Sequence, residues 1–283
     1  MDKVWNNNLS EEQEEEFEER MRTQAPNEPP PQLTAYDQQE LGDALCNEGR
    51  VREAIVHYRK AIDMEAGNPS YHTRLGDAYA YSEMSIKAVA EYRKALKISP
   101  RRAEPHYSLA EIYRRYGKWL AAIEEYRKAA QFNAMNPFYR YKLGDALWHI
   151  GQREEALIQL EMAVQIAPYD GFYHFWLGDL YMESGRIGDA IVEMQQATIF
   201  SPCDSYYSFR LGLLYEQAGY LEDAVAAYKR AIKLKPRERT YHAVIAEAYL
   251  ACGRNEEAAK HSRYAGNLDS YDSANLEVVR KRS

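Results

Sequence analysis

The chain has 283 residues, 46% of them hydrophobic and 28% charged, a balance that allows a sizeable core and fits neither a disordered chain nor a membrane protein. The formal charge of −7 is unevenly spread: residues 1–34 carry nine acids against three bases, the rest of the chain is close to neutral, and nothing in it asks for a nucleic-acid partner. Cys46, Cys203 and Cys252 stand far apart without a CxxC pair, so neither a disulfide framework nor a thiolate metal site is expected.

In chain order, the opening stretch MDKVWNNNLSEEQEEE holds no apolar run of signal-peptide length. No later stretch approaches the ~20 apolar residues of a membrane span, and a cytoplasmic location is expected. Ser10 and Gln13 form a capping-box pattern ahead of the acidic segment Glu11 to Arg22, after which Pro26 and Pro29-Pro30-Pro31 break the chain. Residues 1–34 therefore read as a solvated, Pro-rich acidic tail with room for one short helix.

From residue 35 onward the sequence repeats. The tetrapeptide LGDA occurs at Leu41, Leu75 and Leu143, and its glycine column reads Gly42, Gly76, Ala110, Gly144, Gly178, Gly212, Ala246, a spacing of 34 residues that holds through seven copies. Twelve residues further on, Ala54, Ala88, Ala122, Ala156, Ala190, Ala224 and Ala258 form an invariant column, and Ala61, Ala95, Ala129, Ala163, Ala197, Ala231 and Ala265 form another. Within a repeat the apolar spacing is helical twice: Leu143, Gly144 and Leu147 share one face of a first helix, and Ala156, Leu157, Leu160, Ala163 and Val164 one face of a second. Between the two helices stands Gly49, Gly117, Gly151, Gly185, Gly219 or Gly253, suited to the left-handed residue that ends a helix, with Glu83 as the exception in the second repeat. Pro100, Pro168, Pro202 and Pro236 close second helices, while Asn68-Pro69 and Asn136-Pro137 supply cap and first turn for the next first helix. A small residue where two helices cross lets their axes approach, and a bulky one there would overpack the joint at ~1–3 kcal/mol.

These columns resemble the tetratricopeptide repeat, whose signature sets Trp-x2-Leu-Gly-x2-Tyr in the first helix and Ala-x3-Phe-x2-Ala, then Pro, in the second. Leu75-Gly76-x2-Tyr79 with Ala88-x3-Tyr92-x2-Ala95 and Pro100 matches it, as does Leu177-Gly178-x2-Tyr181 with Ala190 and Ala197; the resemblance covers residues 35–272. The tryptophan position departs throughout, reading Gln38, His72, His106, Arg140, His174, Ser208 and His242. The resemblance implies an all-α fold: a right-handed α-solenoid of seven helix-turn-helix repeats, its first helices lining a concave groove that takes a peptide or protein. A solenoid exposes apolar faces at its ends, and Ser273 to Arg282, with Leu276 and Val279, reads as a capping helix within residues 273–283.

No Walker loop, GxGxxG, GxSxG or HExxH occurs and no insertion breaks the period, so no catalytic residue, metal or cofactor is expected and the chain reads as non-enzymatic. The histidines at the tryptophan position read as structural packing, and the basic run from Lys229 to Arg239 as a complement to a helix end. Counting the glycine column as position 8, positions 2, 5, 9 and 12 form a stripe apart from the packing stripe, and in the family that stripe faces the groove. It supplies Tyr107, Phe138, Tyr141, Trp148, Phe172, Phe175, Tyr206 and Phe209 with Glu111, Asp145 and Asp179, an aromatic ladder edged by acids. The expectation is an interaction scaffold or adaptor holding a partner segment with basic and aromatic or apolar side chains in repeats 3 to 6. The alternative is a permanent subunit of a larger assembly, held by its outer face or termini.

Overall fold

The computed structural model describes residues 33–266. The short helix expected in the amino-terminal tail and the capping helix expected over 273–283 lie outside the described residues. Among the described residues there are fourteen α-helices and no strand, and none of the helices is long and apolar enough to cross a membrane. They pair in order: α1 Ala35–Asn47 with α2 Val51–Met64, α3 Pro69–Tyr81 with α4 Ser85–Ile98, α5 Ala103–Arg115 with α6 Trp119–Phe132, and α7 Pro137–His149 with α8 Arg153–Ile166. The later pairs are α9 Gly171–Glu183 with α10 Ile187–Phe200, α11 Ser205–Gln217 with α12 Leu221–Leu234, and α13 Arg239–Ala251 with α14 Asn255–Gly266. Each second helix also packs against the first helix of the following repeat, and α1 touches α3 as α3 touches α5. The architecture is an all-α solenoid.

The boundaries follow from local chemistry. The residue before each first helix is extended, and in five repeats its side chain accepts an orphan backbone N–H. Thr34 forms a capping box with Asp37, and Asn68, Asn136, Asp170 and Asp204 accept from the amide two residues on, at 3.0, 2.9, 2.9 and 2.8 Å. At the turn between the helices of a pair, the six glycines have φ from 68° at Gly117 to 82° at Gly219. Glu83 takes the same place at φ 59°, a conformation that costs a residue with a side chain ~1–2 kcal/mol.

The joint within a repeat is a large residue of the second helix lying on the glycine of the first. A Cβ on Gly76 would stand 2.5 Å from Cε1 of Tyr92, and one on Gly42 the same distance from Cε1 of Tyr58. The corresponding residues Tyr126, Leu160, Met194 and Tyr228 are buried, as is the first alanine column throughout. The departure from tryptophan has a specific replacement, a polar latch between the two helices of a repeat. His72, His106 and His174 bring Nδ1 to the carboxylates of Glu91, Glu125 and Glu193 at 2.7, 2.5 and 2.7 Å, nineteen residues on. Gln38 meets His57, Arg140 donates to Gln159 at 3.1 Å, and His242 meets His261. Only Ser208 has no such partner, and its hydroxyl is buried unpaired. The Nε2 atoms of His106, His174 and His242 point at the carbonyls of Pro100, Pro168 and Pro236, which ties the latch to the loop ahead of each first helix. Between repeats, a second-helix side chain meets a first-helix tyrosine twenty residues on, as Arg59 with Tyr79, Glu161 with Tyr181 and Gln195 with Tyr215.

Candidate functional site

Two periodic features shape the first-helix face, and both begin with position 9, the acid that follows the small residue. In repeats 1 to 3 this acid accepts a hydrogen bond from the tyrosine at the joint, fifteen residues on. Tyr58 donates to Asp43 and Tyr92 to Asp77, each at 2.7 Å, and Tyr126 donates to Glu111. Burial pushes the Tyr92 and Tyr126 hydroxyls up, as do the carboxylates they face. Those hydroxyls stay protonated and remain donors.

The second feature is a cation thirty-one residues further on, at position 6 of the following first helix. Arg74 stands 3.5 Å from Asp43, Lys142 stands 3.3 Å from Glu111, and Arg210 pairs with Asp179. The position 6 column was not in the stripe read from the sequence, although on a helix it lies one turn from positions 2 and 9 and belongs to the same face. It brings Lys142, Trp176 and Arg210 to the site. Arg114, at position 12, adds a further hydrogen bond to Glu111 at 2.8 Å. Burial alone would raise the Glu111 pKa, but the bonds from Arg114 and Tyr126 and the charge of Lys142 outweigh it and hold the carboxyl below the usual glutamate value. Burial raises Asp179, with Arg210 opposing.

The predicted rings do come together. Tyr107 meets Phe138 at a centroid distance of 5.6 Å, Phe138 meets Tyr141 at 6.0 Å, and Tyr141 meets Phe172 edge-on at 4.9 Å and Trp176 at 5.4 Å. Phe175 continues the series to Tyr206 at 5.6 Å, and Tyr206 to Phe209 at 6.4 Å. Their exposure differs in a way that sorts their roles. Phe175 and Phe209 are only 6% and 3% exposed and fill the gaps between repeats, Phe175 stacking on Tyr207 and Phe209 on Tyr241. Tyr107, Phe138, Tyr141, Phe172 and Trp176 are half-buried and Tyr206 is 44% exposed, so these six still offer surface. Burial and the neighbouring acids push the Tyr107 and Tyr141 hydroxyls up to about 12, which keeps both neutral. Trp148 is engaged elsewhere, donating from Nε1 to Glu183 at 2.7 Å under the guanidinium of Arg153.

Asp145 stands apart. The joint residue fifteen positions on is Leu160, which has no hydroxyl, and the residue thirty-one positions on is Trp176, which has no charge. Among the described residues its half-buried carboxylate has neither a hydrogen bond nor an ion pair. Burial raises its pKa, with the charges of Lys142 and Arg114 opposing. The two cations whose charge it feels most are committed elsewhere: Lys142 to Glu111 and the Phe138 and Tyr141 rings, Arg114 to Glu111.

Comparisons with known proteins bear on the scaffold. Sequence models described as TPR repeat match residues 42–81 and 110–151, and others described as tetratricopeptide repeat match residues 69–102, 139–170 and 205–238, together more than half of the chain. No curated protein matches the sequence. Among solved structures, a crystal structure of MamA is similar with TM-score 0.54 and 24% identity, over 58% of this chain and 89% of that one. YrrB, described as a TPR protein with an unusual peptide-binding site, gives TM-score 0.54 and 22% identity over 63% of this chain and 92% of that one. PilF of Pseudomonas aeruginosa gives TM-score 0.59 and 19% identity over 76% and 97%. At these identities the likeness is one of fold.

Proposed function

The chain belongs to the tetratricopeptide repeat family, and from that premise we propose that it is a non-enzymatic interaction scaffold whose first-helix groove over repeats 3 to 6 holds an extended partner segment. The observation that carries this reading is the run of half-buried rings from Tyr107 through Phe138, Tyr141, Phe172 and Trp176 towards Tyr206. A compact fold has no need to leave so much aromatic surface in one line, and rings with one open face suit apolar and cationic side chains alike. Desolvated cation–π contacts contribute up to ~2 kcal/mol each, a share of the roughly 8 kcal/mol of a micromolar peptide, with apolar burial on the rings supplying the rest. YrrB's peptide-binding site is a precedent for this use of the fold, without bearing on the ligand.

Charge tempers the expectation of an acid-edged groove. Because Asp43, Glu111 and Asp179 each carry an internal cation, the face attracts a basic segment less strongly than its acid column suggests. The test is to pan a random octapeptide display library on the full chain and measure the selected peptides against Tyr141→Ala and Phe172→Ala. Loss of about tenfold or more in each is expected. Unchanged affinity in both would move binding off this face.

A second reading, a subunit of a larger assembly held by its outer surface, has its own observation. The turn edge of repeats 2 and 3 exposes Tyr81, Met84, Ile86, Tyr116 and Leu120, with Ile86 89% exposed. If that edge is the interface, Ile86→Lys with Leu120→Lys should release the chain from its assembly while peptide binding to the groove is unaffected.

A further inference from the structure

We propose that Asp145 is the subsite that takes a lysine or arginine side chain of the partner segment, and that the other position 9 acids of repeats 1 to 5 belong to the scaffold. The inference rests on the groove reading above and deepens it by fixing where the cation goes. Its argument is the comparison the protein makes with itself, because every repeat sets position 9 in the same helix pair and surrounds it with different residues.

Asp43 and Glu111 have both internal partners, the joint tyrosine and the position 6 cation. Asp77 keeps the tyrosine and adds Ser108 at 3.4 Å. Asp179 faces Met194 in place of tyrosine and has Arg210 instead. Among the acids of repeats 1 to 5, Asp145 alone has lost both. The fold does not demand an acid there, since position 9 of repeat 6 is Leu213, and Tyr228 then gives its hydroxyl to Glu216 at 2.8 Å. An acid without internal purpose, half-buried where its charge is costly, is accounted for by a charge brought from outside.

The surroundings specify that charge. Tyr141 lies one helical turn before Asp145, and its ring packs against Trp176 at 5.4 Å and Phe172 at 4.9 Å. A carboxylate beside such a wall suits a cation on an apolar stem, whose methylenes lie along the rings while the head reaches the oxygens. A compact hydrated cation would use the carboxylate and waste the wall.

The experiment uses the full chain and octapeptides selected on it, each compared with its analogue carrying norleucine for lysine, or citrulline for arginine. Replacing the charged residue that binds Asp145 is expected to cost about tenfold on the wild type and almost nothing on Asp145→Asn. On Asp179→Asn the full cost should remain. Trp176→Arg supplies the internal partner found at Asp43, and is expected to erase the preference for the charged peptide while the chain stays folded by circular dichroism. If the cost is equal on wild type and Asp145→Asn, the assignment of the cation is overturned while the groove reading survives. If no octapeptide binds the face, both fall.

Discussion

Gly76→Ala tests the account of the repeat joint. An alanine in a helix is ordinarily worth ~1 kcal/mol over glycine. Here the new methyl would stand 2.5 Å from Cε1 of Tyr92, a ring that is 1% exposed and whose hydroxyl is tied to Asp77 at 2.7 Å. The ring cannot retreat without loosening that bond and leaving Asp77, whose pKa burial already raises, without its best donor. Overpacking at ~1–3 kcal/mol and a lost hydrogen bond at about 1 kcal/mol, less the propensity gain, leave a net destabilisation of about 1–3 kcal/mol. The sequence contains its own control. Glycine precedes aspartate in repeats 1, 2, 4 and 5, whereas alanine precedes glutamate at Ala110-Glu111 and Ala246-Glu247, and Tyr126 still reaches Glu111. The longer acid follows the displaced ring, so adding Asp77→Glu to Gly76→Ala should recover part of the loss. Gly188→Ala, with nothing within 4 Å of the new methyl, should instead stabilise by up to ~1 kcal/mol. Urea midpoints followed by circular dichroism report all four proteins. Equal signs for Gly76→Ala and Gly188→Ala, or no recovery in the double variant, would refute the reasoning.

Three further outcomes follow from the structure. Glu83→Gly relieves the positive φ of 59° and should stabilise the protein by about 1 kcal/mol, read as a higher melting temperature. Burial opposes the charge on His174, yet its bonds to Glu193 and the Pro168 carbonyl raise its pKa above 6.5. The latch in repeat 5 is therefore at full strength below about pH 6.5 and is lost as pH rises through the folded value, so the destabilisation caused by Glu193→Gln should be smaller at pH 9 than at pH 6, by denaturant titration. Asp145→Asn removes a half-buried unpaired charge and should raise stability at pH 7 by up to about 1 kcal/mol. Because the Asp145 pKa is raised above 3.8, the wild type should gain on the variant as pH falls through the folded value, and a gap unchanged at pH 3 would refute that cause.

The period, the two helices per repeat and their turns are legible in the sequence because each rests on backbone demands, a residue at positive φ, a side chain small enough for a crossing, or a cap. Asn68 and Asn136 are visible caps, and Asp170 and Asp204 do the same work without the proline that draws attention to the asparagines. The latch is hidden in the sequence because its halves are nineteen residues apart on different helices, so His174 reads as a packed ring and nothing in the spacing joins it to Glu193. The site was half legible. Alternation of rings at positions 2 and 5 shows the ladder, but which rings stay open depends on the neighbouring repeat, and Phe175 closes against Tyr207. The state of each acid depends on residues fifteen and thirty-one positions away, which is why Asp145 and Asp179 look alike in the sequence and differ in the fold.

The most direct test of the groove is affinity capture from the native extract by the wild type, by Tyr141→Ala with Phe172→Ala, and by Ile86→Lys with Leu120→Lys, each checked for folding and quantified by mass spectrometry. The account predicts a partner that is retained by the turn-edge variant and lost from the groove variant. A partner lost only from the turn-edge variant would contradict it and make the outer surface the functional one.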